Sequence, residues 1–201
     1  MAPTSPATGA LRLEDALAAW AARSAPLSPA AASDVAALVL VEGESDRVAV
    51  REAARLLGLD LQESRIAVVP MGGAMSVRRY VAAVQETGRS LRIRGLCDAG
   101  EIRFYERAGL TDVHVCRPDL EGELIAALGI AATEDALEGE RDLQLFRRFQ
   151  RQPAQRGRAV EEQLHRFLGT TSGRKEQYAR VLTSALPPER VPTALRGALG
   201  M

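Results

Sequence analysis

The feature that most constrains the fold is a strand driven straight into acids. A strand is expected at roughly 37–42, where Ala37-Leu38-Val39-Leu40-Val41 is an unbroken apolar run. A polar-out strand would alternate, so an uninterrupted run predicts a strand buried on both faces, as in a parallel sheet covered by helices. It ends at Glu42, Gly43, Glu44 and Asp46. Packing carboxylates at the end of a buried strand costs several kcal/mol unless something pairs them. The segment is therefore either a solvated strand end or part of a cation site.

The rest of the first two thirds alternates in the same way. A helix is predicted at about 46–58, then a strand at 66–70, a tight turn at Gly72-Gly73 and a helix at 74–87. A strand at 91–97 ends at Asp98, a helix spans 101–108, a strand spans 112–116, and PDLEGELIAALG opens another helix. Strand and helix alternating through short links imply an α/β fold with a small parallel four-stranded sheet flanked by helices. After Gly129 only helical patterns remain, near 133–151, 157–168, 174–186 and 189–199. Residues 1–9 are expected to be disordered. A short helix at 11–23 carries Leu13, Leu17 and Trp20 on one face, and 24–33 reads as a Pro-broken linker. Three regions follow: a flexible 1–34 with a short helix, an α/β domain at 35–129, and an all-helical region at 130–201.

Bulk properties exclude several classes. The chain has 201 residues, and no apolar run approaches the length of a membrane span. The two cysteines, Cys97 and Cys116, close apolar runs and read as small buried hydrophobes in a reducing compartment. No signal peptide pattern opens the chain, so a cytoplasmic protein is expected. Net charge is zero but uneven: 141–180 holds 10 basic and 4 acidic side chains. Lys175 is the only lysine, and Arg richness alone is composition bias.

In parallel α/β sheets, functional groups gather beyond the carboxyl ends of the strands. Three of the predicted strands end in acids. Glu42 closes the first, with Asp46 one turn on. Asp98 closes the third, with Glu101 nearby, and Asp119 and Glu121 follow the fourth. Taken singly, Asp98, Asp119 and Glu121 also suit helix capping. Together, in order, they suit a hard cation such as Mg²⁺ or Mn²⁺. Two such ions about 4 Å apart clamp an in-line phosphoryl displacement. His114 and His165 have no Cys or His partner at zinc spacing and read as structural. In FRRFQRQPAQRGR (146–158), Phe146 and Phe149 suit a core stripe, while the arginines suit backbone contacts with nucleic acid.

LVEGESDRVAVREAARLLG, VVPMGGAMSV, GLCDAGEIRFYERAGL and RPDLEGELIAALG, over about 36–129, resemble a TOPRIM domain, and more narrowly that of OLD (overcoming lysogenization defect) nucleases. The resemblance implies metal-dependent cleavage of nucleic acid, with DNA the expected substrate. It makes Glu42 a metal ligand and general base. Asp46, Asp98, Asp119 and Glu121 become further ligands of Mg²⁺ or Mn²⁺, with two ions, and Lys175 a stabiliser of developing charge. Arg147, Arg148, Arg151 and Arg174 are the expected nucleic-acid contacts. Two departures stand out. Gly100 occupies the second acidic position of the D-x-D motif, which leaves Glu101, one residue late, as the substitute. No Walker A phosphate loop is present, so the chain reads as a stand-alone TOPRIM protein, with an ATPase partner in trans or a homodimer as open assemblies. The alternative is a non-catalytic or weakly catalytic nucleic-acid-binding TOPRIM module working with a separate ATPase. Primase-like phosphoryl transfer ranks below both, because no zinc-binding domain or nucleotide pocket can be read.

Overall fold

The structure is a computed structural model that describes residues 9–169 and 173–201. The segment expected to be disordered, 1–9, lies outside them except for Gly9. Four strands, β1 (Ala37–Val41), β2 (Ile66–Pro70), β3 (Arg92–Asp98) and β4 (Val113–Cys116), form one all-parallel sheet in the order β2-β1-β3-β4. The helices are α1 (Gly9–Ala21), α2 (Glu44–Leu56), α3 (Val77–Glu86), α4 (Ile102–Arg107), α5 (Leu120–Leu128), α6 (Ile130–Gly139), α7 (Leu143–Gln150), α8 (Val160–Leu168), α9 (Arg174–Ala185) and α10 (Thr193–Leu199). No helix among the described residues is long and apolar enough to cross a membrane.

β1 is central, and Leu38, Val39, Leu40 and Val41 have no solvent exposure. Its side chains alternate between two cores. Leu38 and Leu40 join α1, α3 and α4 on one face. Ala37, Val39 and Val41 join α2, α5 and the helical tail on the other. Cys97 and Cys116 are free and buried, one in each core. Burial, and then nearby carboxylates, push the Cys97 thiol up to about 12. Both behave as the small hydrophobes expected of them.

The N-terminal helix and the helical tail stand where the sequence put them, while the stretch read as a linker packs into the fold. The expected linker and N-terminal helix are integral to the fold. Leu13 and Leu17 are fully buried, and Ala32 and Val35 join the same core. Glu14 Oε1 accepts the Val68 N–H at 2.8 Å, and its other oxygen pairs with Arg51. That N–H belongs to the edge strand β2, so α1 satisfies and covers a sheet edge. The tail is equally integrated: α9 packs along α2 and α5, with Tyr178, Ala179 and Leu182 against Ala49, Ala53 and Ala54 in one core. Alanines on α2 let the helices approach closely.

The single helix expected near 133–151 is two. The chain turns at Arg141, which takes a left-handed conformation (φ 62°). The Asp142 N–H donates to the Leu137 carbonyl at 2.8 Å, closing α6 as the chain turns. The corner lets Leu137 and Phe146 both enter the core with no exposure. Phe146 and Phe149 each pack against Phe167, with centroids 5.3 and 5.6 Å away.

Glu14→Ala should destabilise the protein by about 2–3 kcal/mol in urea unfolding, because it orphans the Val68 N–H and unpairs Arg51. Glu14→Gln keeps an acceptor and should cost less. Equal effects of the two would show that the Val68 bond contributes nothing.

Candidate metal centre

The acids gather where the parallel topology puts them. Glu42 follows β1, Asp46 lies in the first turn of α2, Asp98 is the last residue of β3, and Asp119 and Glu121 open α5. Glu42, Asp46, Asp98 and Glu121 line one cleft of about 280 Å³ with Lys175, floored by Gly72 and Gly73. Three larger hollows, of about 620, 640 and 410 Å³, lie elsewhere. The first holds the Glu14 and Arg51 side chains and the second lies at the opposite, amino edge of the sheet, beside Arg92 and Arg94. Convergent charge, not volume, marks the smaller one as the candidate site.

Backbone donors fix the acids. Glu42 Oε1 accepts the Asp98 N–H at 3.2 Å. Asp98 Oδ1 accepts the Leu120 N–H at 3.2 Å, and the Ala99 N–H donates to the Pro118 carbonyl at 3.1 Å. The loops after β3 and β4 are thereby stitched together. Asp46 Oδ2 accepts the Gly43 N–H at 2.8 Å, the acid half of a capping box whose other half glycine cannot supply. The Gly73 N–H donates to the Glu42 carbonyl at 2.9 Å. Gly72 and Gly73 have φ of 72° and 115°, conformations that glycine adopts without strain. This pair is a turn, as its sequence suggested, and it leaves one wall of the cleft free of side chains.

The cleft is short of positive charge. Burial, partly offset by the Asp98 N–H, raises the Glu42 pKa to about 6. Burial, with the charges of Glu42 and Glu121, raises Asp46 to about 6. Burial, then Asp46 and Asp119, raises Asp98 to about 7. Glu121 is only 6% exposed, with Lys175 Nζ 3.3 Å from its Oε1. Burial would lower the Lys175 pKa, but the attraction of Glu121, Asp119 and Asp98 outweighs it and raises the ammonium above its usual range.

The remaining expected residues distribute unevenly. Glu101 precedes α4, and its charge is felt at Glu42, but it does not line the cleft. A side chain at Gly100 would meet no atom within 4 Å, so packing does not require glycine there. Asp119 caps α5 through Oδ1, which accepts the Gly122 N–H at 2.9 Å. Its Oδ2 lies 2.6 Å from His165 Nε2. His165, which the sequence did not place near the acids, therefore stands beside them. Among the described residues, the trio whose donor atoms all fall within 4.8 Å of one another is Asp119, Glu121 and His165. Sequence reasoning missed it because zinc spacing is a local signal and this pair is 46 residues apart. Of the four arginines, Arg147 is bonded to both oxygens of Glu134 at 2.8 and 2.6 Å. Arg174 pairs with Asp142 and stacks on Phe167. Arg148 and Arg151 are exposed.

A pH dependence follows for protein in chelating buffer. The folded pKa values of Glu42, Asp46 and Asp98 lie above their ordinary values of 4.5, 3.8 and 3.8. The folded chain therefore holds protons that the unfolded chain releases. This contribution is fully present below about pH 4 and is lost as pH rises through about 6 to 7. Asp98→Asn should raise the midpoint of thermal unfolding at pH 7.5 and leave it nearly unchanged at pH 4. A fall at pH 7.5 would show that the Asp98 charge is not repelled in the folded state.

Comparison with known proteins places this geometry. Residues 35–97 match the overcoming lysogenization defect protein-like TOPRIM domain. No curated protein matches the chain in sequence. The fold is similar to that of the C-terminal region of the Burkholderia pseudomallei OLD protein (TM-score 0.59, 20% identity, covering 83% of this chain and 96% of that one). It is similar also to the C-terminal region of the Xanthomonas campestris pv. campestris OLD protein (TM-score 0.60, 21% identity, 83% and 91% covered). The sequence match takes in β1, β2 and nearly all of β3, and the structural match covers 83% of the chain. Residues 35–97 are thus similar to an OLD-like TOPRIM domain, and they lie within a fold similar to that of OLD C-terminal regions.

Proposed function

We propose that the chain is a divalent-metal-dependent nuclease that cleaves DNA phosphodiester bonds. The observation that carries this reading is the convergence of Glu42, Asp46, Asp98 and Glu121, from three strand ends, on one cleft with Lys175 at its rim. The donor set fits the group. It consists of oxygen ligands, desolvated and mutually repelling, which a hard divalent cation neutralises. Glu42, Asp46 and Asp98 would hold one Mg²⁺ or Mn²⁺, and Asp119 and Glu121 a second. When bound, such ions supply charge neutralisation and an activated water. The match of residues 35–97 to an OLD-like TOPRIM domain supports a nuclease-type module.

The chain's own groups then have separable tasks. The Glu42 carboxylate, held by the Asp98 N–H, is the proton acceptor. Lys175 is half-exposed and can reach non-bridging phosphate oxygens, where a fixed cation opposes charge that grows in the transition state. Gly72 and Gly73 let a phosphodiester backbone come close. Arg148 and Arg151, exposed on and just after α7, neutralise flanking phosphates. Arg147 and Arg174 are committed to Glu134 and Asp142 and serve mainly to hold the tail in place.

A second reading rests on Gly100, where the D-x-D pattern has its second acid. In it the chain docks on nucleic acid beside an ATPase supplied in trans, and cleaves weakly or not at all. Supercoiled plasmid with Mg²⁺, Mn²⁺ or chelator separates the two. The nuclease reading expects metal-dependent nicking that Glu42→Ala abolishes and Lys175→Ala slows by about 10²–10³-fold. Mn²⁺ should also raise the thermal midpoint at pH 7.5. Binding of plasmid without nicking under any metal would favour the docking module.

A further inference from the structure

We infer that His165 is an inner ligand of the second metal position, and that this nitrogen makes the position selective for Mn²⁺ over Mg²⁺. The inference rests on the metal reading above and goes beyond it in the ligand set.

Asp119 divides its oxygens. Oδ1 is spent on the Gly122 N–H, and Oδ2 is the one that faces His165 Nε2 at 2.6 Å. A His–Asp hydrogen bond alone would need no third group. Here Glu121 brings a third donor, and all three donor atoms lie within 4.8 Å. Ligands of one octahedral ion, at about 2.1–2.3 Å from it, span up to about 4.5 Å. Glu121 is buried, with Lys175 as its cationic neighbour, so a charge aimed at this point has little water to stabilise it. His165 is about one third exposed, which leaves an entry path. The trio spans α5 and α8, so the tail helix, and not the TOPRIM sheet, supplies the nitrogen.

The chemistry sets the selectivity. Mg²⁺ demands oxygen ligands in near-ideal octahedral geometry, and imidazole favours later divalent ions. Coordination uses the Nε2 lone pair, so the neutral ring carries its proton on Nδ1 when an ion is held. The oxygen-only group at Glu42, Asp46 and Asp98 has no such preference. The two positions of one site therefore differ in their choice of ion.

The chain has only two histidines, which makes a spectroscopic test clean. Untagged protein is given one equivalent of Mn²⁺ under excess Mg²⁺, and electron spin-echo envelope modulation is recorded. We expect ¹⁴N modulation from a coordinated imidazole. His165→Asn, whose amide can still donate to Asp119, should abolish it and weaken Mn²⁺ retention about tenfold or more. His114→Asn should leave the signal intact. Bound Mn²⁺ without nitrogen modulation, or full Mn²⁺ retention by His165→Asn, would overturn the inference and leave the nuclease reading standing. Nitrogen modulation in a protein that never nicks DNA would do the reverse. Absence of any bound Mn²⁺ would overturn both.

Discussion

The structure depends on the burial of β1 from both sides. Its five residues offer water no polar side chain, so each face needs a complete layer of helices before the strand can leave solvent. One layer comes from α1, α3 and α4. The other comes from α2, α5 and the tail, which share a single core with the sheet. The N-terminal helix and the tail therefore share their cores with the parallel sheet. Glu42 is the first charged group after this dry strand, and its raised pKa reflects the same burial.

The site inherits its geometry from that arrangement. Parallel strands deliver their carboxyl ends to one edge, and the loops there are tied by bonds that use the acids themselves: Glu42 to the Asp98 N–H, Asp98 to the Leu120 N–H. The carboxylates thus help hold the loops that carry them. Lys175 arrives from the other direction. It sits in the first turn of α9, which is fixed by its packing on α2 and α5.

Much of this was legible in the chain. Apolar runs ending in acids marked β1 and β3, and the alternation of strand and helix implied the parallel sheet and the edge where Glu42, Asp46, Asp98 and Glu121 now stand. The paired glycines at 72 and 73 read as a turn, and both take positive φ. Phe146 and Phe149 read as core at i, i+3 spacing and pack on Phe167. These are signals of periodicity and composition, which act over a few residues. The corner at Arg141 was not legible, because a non-glycine residue takes a left-handed conformation there.

Local sequence determined the strands, most helices and the edge of the sheet to which the acids belong, because backbone sterics and side-chain period are set by near neighbours. Only the tertiary structure decided which acids line a common cleft, that Asp119 is turned toward His165, that Arg147 is bound to Glu134, and that Glu14 closes the edge of β2. The last three of these pair residues 13 to 54 positions apart. The approach of such groups is set by how whole helices dock on the sheet, and docking depends on the fit of many side chains at once, which no single stretch of the chain records.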